Sequence, residues 1–275
     1  MDIEAGLRRP KIDVHAHVSG AEVSCDALLA SGDPVGVREF WCSRPITGGR
    51  IAPHEEVRRQ NDEILRAMAL RPGRIRGMCF VIPGHYREAL AEVERCLDAG
   101  MIGIKLYNQY KISDPAVGPV LALARERRVP VLEHAGYLTG TEHLSQQPLI
   151  SHGADFAAAS ERHPDTVLIH AHISGGGDWE WTVRAVRDAS PNVYIDTSGS
   201  NLDDGQVEFA AAELGAGRVL FGSDGTMSGS VGKVLDAALT DEEKEMIFWG
   251  NAERILAAQG KKPLHPRSQP ERSQP

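Results

Sequence analysis

No apolar run in the chain approaches the ~18 residues that a membrane-spanning helix needs, so no membrane partner is expected. The opening stretch, MDIEAGLRRPKIDVH, has no apolar centre of the kind a secretory signal requires, and a cytoplasmic location is the default expectation. Cysteine is scarce: Cys25, Cys42, Cys79 and Cys96 lie far apart and form no CxxC pair. Free thiols in a reducing compartment are expected, not a disulfide framework. Basic blocks are missing too. Lys and Arg number 30 against 38 Asp and Glu, a net charge of −8, which argues against nucleic acid as a partner. A small anionic substrate stays open, because a site can be locally basic on an acidic protein. The turn after the first candidate strand, HAHVSGAE, is not the GxGxxG of a dinucleotide fold, and no internal repeat is present.

What the sequence does hold is alternation. Its 275 residues, 41% hydrophobic and 25% charged, suffice for one sizeable core. Candidate strands are IDVHAH (12–17), GVREFWC (36–42), RGMCFVI (76–82), MIGIKLY (101–107), PVLEHA (130–135), TVLIHAH (166–172), NVYIDTS (192–198) and RVLFGSD (218–224). Helical patterns lie between most of them. Val57, Asn61, Ile64, Leu65 and Met68 fall on one face, as do Leu90, Val93 and Leu97 of a helix that stops at Gly100. Pro115 marks one helix start and Thr240, followed by acids, another. Eight such units over ~250 residues predict a single (β/α)8 barrel, residues 1–258, with an open doubly wound sheet as the competing fold. From Gln259 to Pro275 the chain turns rich in Pro, Ser and charge, and a disordered tail is expected.

The segment KIDVHAHV raises the functional question. Residues two apart on a strand share a face, so Asp13, His15 and His17 are expected to point the same way. An HxH pair alone is more often structural than metal-binding. Other strands, however, finish in His134, in His170 and His172, and in Asp224. In a barrel all C-terminal strand ends open onto one mouth. Imidazole nitrogens with one carboxylate suit zinc or another divalent transition ion. His54, His85, His143, His152, His163 and His265 fall in loops or helices and are expected to be solvated.

KIDVHAH, VLEHAG, PDTVLIHAHISGGG, RVLFGSD and GNAERIL, in that order, resemble the metal-dependent amidohydrolase superfamily, in the branch that includes aminocarboxymuconate-semialdehyde decarboxylase. The resemblance runs over residues 11–258 and implies a barrel with a metal at its mouth. It implies His15, His17, His134 and Asp224 as metal ligands. His172 would hold or deprotonate a water, Asp224 would handle a proton, and His170, on the same face one step deeper, would be structural or orient a ligand from behind. Ile173 and Ser174 before the glycines depart from the usual shorter link. One metal is implied, zinc first, with manganese or cobalt as alternatives; a second ion bridged by a carboxylated Lys105 is the lesser alternative. Hydrolysis of an amide, lactone or ester by activated water is the first expected activity. Nonoxidative decarboxylation of an unsaturated or aromatic acid is the second, and a non-catalytic binding barrel the third. Lys105, Tyr107, Arg44, Arg50 and Trp179 are candidate substrate contacts; Lys105 could instead meet an acid behind the ligands, Arg44 and Arg50 are each alone more readily solvated surface residues, and Trp179 as readily packs against a helix. The loop within 136–165 is a candidate specificity element. A homodimer is the base-rate expectation.

Overall fold

A computed structural model describes residues 3–136, 147–173, 179–199, 201 and 203–265. Eight strands follow one another: β1 Lys11–His17, β2 Val37–Ser43, β3 Ile75–Phe80, β4 Gly103–Leu106, β5 Val131–Glu133, β6 Leu168–His170, β7 Val193–Asp196 and β8 Val219–Leu220. Each pairs in parallel with the next, in sequence order. Hydrogen bonds from Val14 N–H to the Phe221 carbonyl (3.0 Å) and from Asp224 N–H to the His15 carbonyl (2.8 Å) join the last strand end to the first. The result is a (β/α)8 barrel.

The helices form where the periodicity places them. His54–Leu70 buries Val57, Asn61, Ile64 and Ala67. Arg87–Asp98 buries Val93 and Leu97 together with Glu92 and Cys96. Asp114 caps the turn that begins at Pro115, and Thr240 with Glu243 makes a reciprocal capping box. Buried apolar side chains form two main layers and a smaller cluster of Ile46, Ala52, Val57, Phe80 and Ile82. One layer lies between strands and helices; the other fills the barrel with Ile12, Val14, Trp41, Met78, Leu132, Ile169 and Leu220. Trp249, Ala252, Ile255 and Leu256 close that inner core from below. Asn251, from the GNAERIL segment, donates to the Ala216 and Val219 carbonyls at the entry of β8, so this motif builds the floor. Lys11 holds the short helix Ile3–Arg8 there through the Gly6, Leu7 and Arg9 carbonyls.

The segment expected to be a free tail begins docked. Leu264 N–H donates to Glu39 (2.6 Å), and Arg76 hydrogen-bonds the Lys262 carbonyl. Buried Glu39 offers its carboxylate at the floor, which keeps this stretch against the barrel. Residues 266–275 lie outside the described residues. Among the described residues no helix is long and apolar enough to cross a membrane.

Candidate active site

The C-terminal ends of β1, β5, β6 and β8 bring His15, His17, His134, His172 and Asp224 together. Asp224 Oδ1 lies 3.0 Å from His17 Nε2 and 3.8 Å from His15 Nε2, and its Oδ2 lies 3.6 Å from His172 Nε2. His172 Nε2 is 3.1 Å from His134 Nδ1. His15, His172 and Asp224 each offer a ligand atom, all within 4.8 Å of one another. Two of these residues sit in the left-handed region that side chains rarely adopt, His172 at φ 64° and Asp224 at φ 43°. Backbone bonds hold them there: His172 N–H to Asp196 Oδ1 (3.0 Å) and Asp224 N–H to the His15 carbonyl.

β1 is irregular where it matters. Ile12 and Val14 belong to the inner core, Ala16 and Val18 to the outer layer, and the register against β2 shifts between Asp13 and Ala16. That shift turns His15 and His17 inward and corrects the expectation that Asp13 shares their face. Asp13 accepts from His15 N–H, from Ser223 N–H and from the Ser223 hydroxyl, and so ties β1 to the end of β8. Burial raises its pKa to about 7 against these bonds. His170 does not share the inward face expected for it with His172: it packs outward against Phe156, a residue of the helix layer (ring centroids 4.6 Å).

The outer partner of each inward imidazole assigns its tautomer, because a neutral ring donates from one nitrogen only. His15 Nδ1 donates to Asp196 Oδ2 (3.0 Å), His17 Nδ1 to the Ser43 carbonyl (3.0 Å) and His134 Nε2 to Gln147 Oε1 (3.2 Å). The Ser198 hydroxyl gives its one proton to Asp196, so it accepts from His172 Nδ1 (2.8 Å). His15 Nε2, His17 Nε2, His134 Nδ1 and His172 Nε2 are thereby lone pairs. They face Asp224 or one another, and His15 Nε2 also accepts from Lys105 Nζ (2.9 Å).

The electrostatics agree. Burial lowers the pKa of His15, drives His134 well below the ordinary histidine value and takes His172 to about 3. Burial raises the Asp224 pKa, and it is the charge of His15, His17 and His172 in their protonated forms, with a hydrogen bond from His17, that holds it below the usual carboxylate range. Imidazoles and a carboxylate that converge in this way fit a divalent ion, and the outer hydrogen bonds are those that normally orient such ligands.

Lys105 is buried at the base of the cluster, with Nζ 2.9 Å from His15 Nε2. Burial lowers its pKa to about 8, opposed by Asp224, Asp196 and Glu133. Above lies a cavity of about 460 Å³ whose wall includes His17, Arg44, Tyr107, His134 and Asp224. Tyr107 stacks on His134 at 4.1 Å with rings 9° apart. Arg44 is steadied by Glu63 (3.2 Å), which also accepts from Gly20 N–H. Two candidates do not reach the described cavity wall. Arg50 turns to Glu56 at the surface, and Trp179 donates to Asp203 (3.2 Å) and packs on Phe209. Of the candidate specificity loop, residues 137–146 lie outside the described residues, as does the Ser174–Gly177 link.

Asp196, Ser198, Asn108 and Gln147 were not recognised as site residues from sequence. Asp196 carried a signal: the segment NVYIDTS places a carboxylate near the end of a strand, at the same mouth as the histidines. Gln147 and Asn108 carried none, since an amide in a loop has no distinctive pattern.

A parallel barrel that gathers imidazoles and a carboxylate at the C-terminal ends of its strands defines a class, the metal-dependent barrel enzymes. The chain belongs to the amidohydrolase family, whose model matches residues 46–257, and the family's enzymes depend on metals. No curated protein matches the chain. Solved structures share its fold. A putative amidohydrolase from Staphylococcus aureus superposes with a TM-score of 0.74 at 18% identity, over 90% of this chain and 99% of that one. Dihydroxybenzoic acid decarboxylase from Polaromonas sp. JS666, with bound manganese and the inhibitor 2-nitroresorcinol, gives 0.70 at 18% identity, over 90% and 96%. 4-Oxalomesaconate hydratase from Rhodopseudomonas palustris gives 0.69 at 16% identity, over 91% and 96%.

Proposed function

We propose that the protein is a metal-dependent hydrolase of a small carbonyl compound, with His15, His17, His134 and Asp224 holding one divalent ion, zinc, manganese or cobalt. The observation that carries this reading is the convergence of the His15, His17 and His172 ring nitrogens on the Asp224 carboxylate, with His134 beside His172. A divalent ion in that place supplies Lewis acidity and lowers the pKa of a coordinated water toward ~7. Asp224 faces the cavity, is ionised, and is placed to take a proton from water and return it to the leaving group. His172, neutral at pH 7 with its bare Nε2 toward Asp224, is placed to share that proton. Lys105 brings positive charge beneath the reacting group, and Tyr107 and Arg44 orient it from the wall.

A second reading is nonoxidative decarboxylation. Arg44, on the cavity wall and oriented by Glu63, suits a substrate carboxylate, and decarboxylases stand among the structural neighbours. One experiment separates the two. Metal-loaded protein is offered lactones, amides and esters in one series and aromatic and unsaturated acids in another, with acid release and carbon dioxide release as readouts. Turnover in the first series, abolished by a chelator and lowered roughly 10²–10⁴-fold in Asp224→Asn, supports hydrolysis. Carbon dioxide release alone replaces it with the second reading. Turnover that survives chelation overturns both.

A further inference from the structure

We infer that Asn108 and Gln147 are positioning residues that set which nitrogen of His134 is free to bind metal. The inference rests on the reading of His134 as a ligand. Asn108 follows β4 directly after Tyr107 and is buried; Gln147 comes from the far side of the loop after β5.

A carboxamide end can donate or accept, and its neighbours decide which. Asn108 Nδ2 donates to Gln147 Oε1 (2.7 Å), and the same oxygen lies 3.2 Å from His134 Nε2. Among the described residues, buried Asn108 Oδ1 has no hydrogen-bond partner. Turning the Asn108 amide over would strand two N–H donors where a single oxygen now sits, and a stranded donor is the rarer arrangement. Gln147 therefore presents its oxygen to His134. The ring carries its proton on Nε2 and leaves Nδ1 bare toward His172, 3.1 Å away. Tyr107 fixes the plane of the ring by stacking, and Asn108, the next residue, fixes its proton through Gln147.

This assignment makes an order of effects that shape alone would not. In Asn108→Asp the new carboxylate can only accept. It pulls the Gln147 amide round, so that an N–H2 group faces His134 Nε2 and the ring proton moves to Nδ1, the nitrogen required by the metal. Asn108→Ala removes the constraint without inverting it. Gln147→Glu keeps an acceptor, and Gln147→Leu removes it.

Zinc affinity of each purified full-length variant, read by competition with a chromophoric chelator at one neutral pH, tests the inference. Melting temperatures of the metal-free proteins check folding. Gln147→Glu is expected to bind within a few-fold of the unchanged protein and Asn108→Ala somewhat more weakly. Asn108→Asp and Gln147→Leu are expected to lose roughly 10–100-fold, the usual effect of losing a ligand's outer partner. An isosteric Asn108→Asp that binds best of the Asn108 variants, or Gln147→Glu as weak as Gln147→Leu, overturns the inference. His134→Ala serves as the separate control: if it binds zinc as tightly as the unchanged protein, His134 is not a ligand and the functional reading itself fails.

Discussion

At Asp196 one buried carboxylate meets four donors: His15 Nδ1, the Ser198 hydroxyl, and the backbone N–H groups of Ser198 and His172. Asn in its place keeps the shape but must aim an N–H2 group either at His15 or at the other three donors. Asp196→Asn is expected to fold, to bind metal roughly 10–100-fold more weakly, and to lose about 1–3 kcal/mol of stability without metal. Chelator competition and calorimetry read the two; a variant that matches the unchanged protein in both sinks the assignment. The pH dependence has a definite sign. Burial raises the Asp196 pKa, but His15, His172 and Ser198 outweigh it and hold the carboxyl below the ordinary range. A depressed carboxylate stabilises the fold fully above its unfolded pKa of ~3.9 and loses that contribution as pH falls toward the folded value. The acid limb of the stability curve should therefore flatten in Asp196→Asn. The inward imidazoles were legible in the sequence because histidine at several strand ends is rare and directional. Their outer partners were not. His15 and Asp196 stand 181 residues apart, and only the closed barrel brings them together.

Strand lengths show where the element scale departs from the sequence pattern. TVLIHAH reads as seven strand residues, but β6 spans only Leu168–His170, and RVLFGSD yields only Val219–Leu220 in β8. The missing ends are the places where His172 and Asp224 take positive φ to aim their side chains, which regular strand geometry does not allow. Element order, by contrast, was legible, because helix and strand periods differ so plainly. Gly222 shows how tightly β8 is seated. A Cβ there would lie 3.1 Å from both Asp196 Cγ and His15 Cβ. Those neighbours are themselves held by buried hydrogen bonds, so they give only by disturbing the site. Gly222→Ala is expected to cost about 1–3 kcal/mol and to weaken metal binding along with it. Wild-type affinity in this variant, measured by the same competition assay, would show that β8 has slack that the packing does not predict.

Across the whole molecule the barrel separates two tasks: the strand C-termini assemble chemistry and the opposite end is closed for stability. Glu39 tests that division. It is fully buried at the floor and accepts from Trp41 Nε1 (2.9 Å), Arg76 Nε (2.7 Å) and Leu264 N–H (2.6 Å). Gln at this position keeps the volume but leaves Arg76 without its anion and sets an N–H2 group against a wall of donors. Breaking a buried, hydrogen-bonded ion pair from one side costs about 3–5 kcal/mol, and Arg76, only 13% exposed, has little water to fall back on. Glu39→Gln should therefore melt several degrees lower, and removing the chain after Gly260, which takes away the Leu264 bond to Glu39 and the Lys262 carbonyl from Arg76 but leaves the Glu39–Arg76 pair, should cost less. Neither change touches the mouth, so zinc affinity measured well below the melting transition should stay within a few-fold of the unchanged protein. Added metal should raise the melting temperature of the variant and the parent alike, since an ion that binds only the folded state stabilises both by the same RT ln(1 + [L]/Kd). Loss of affinity in Glu39→Gln at a temperature where it is fully folded would mean that floor and mouth are coupled through the inner core, and the separation proposed here would fall.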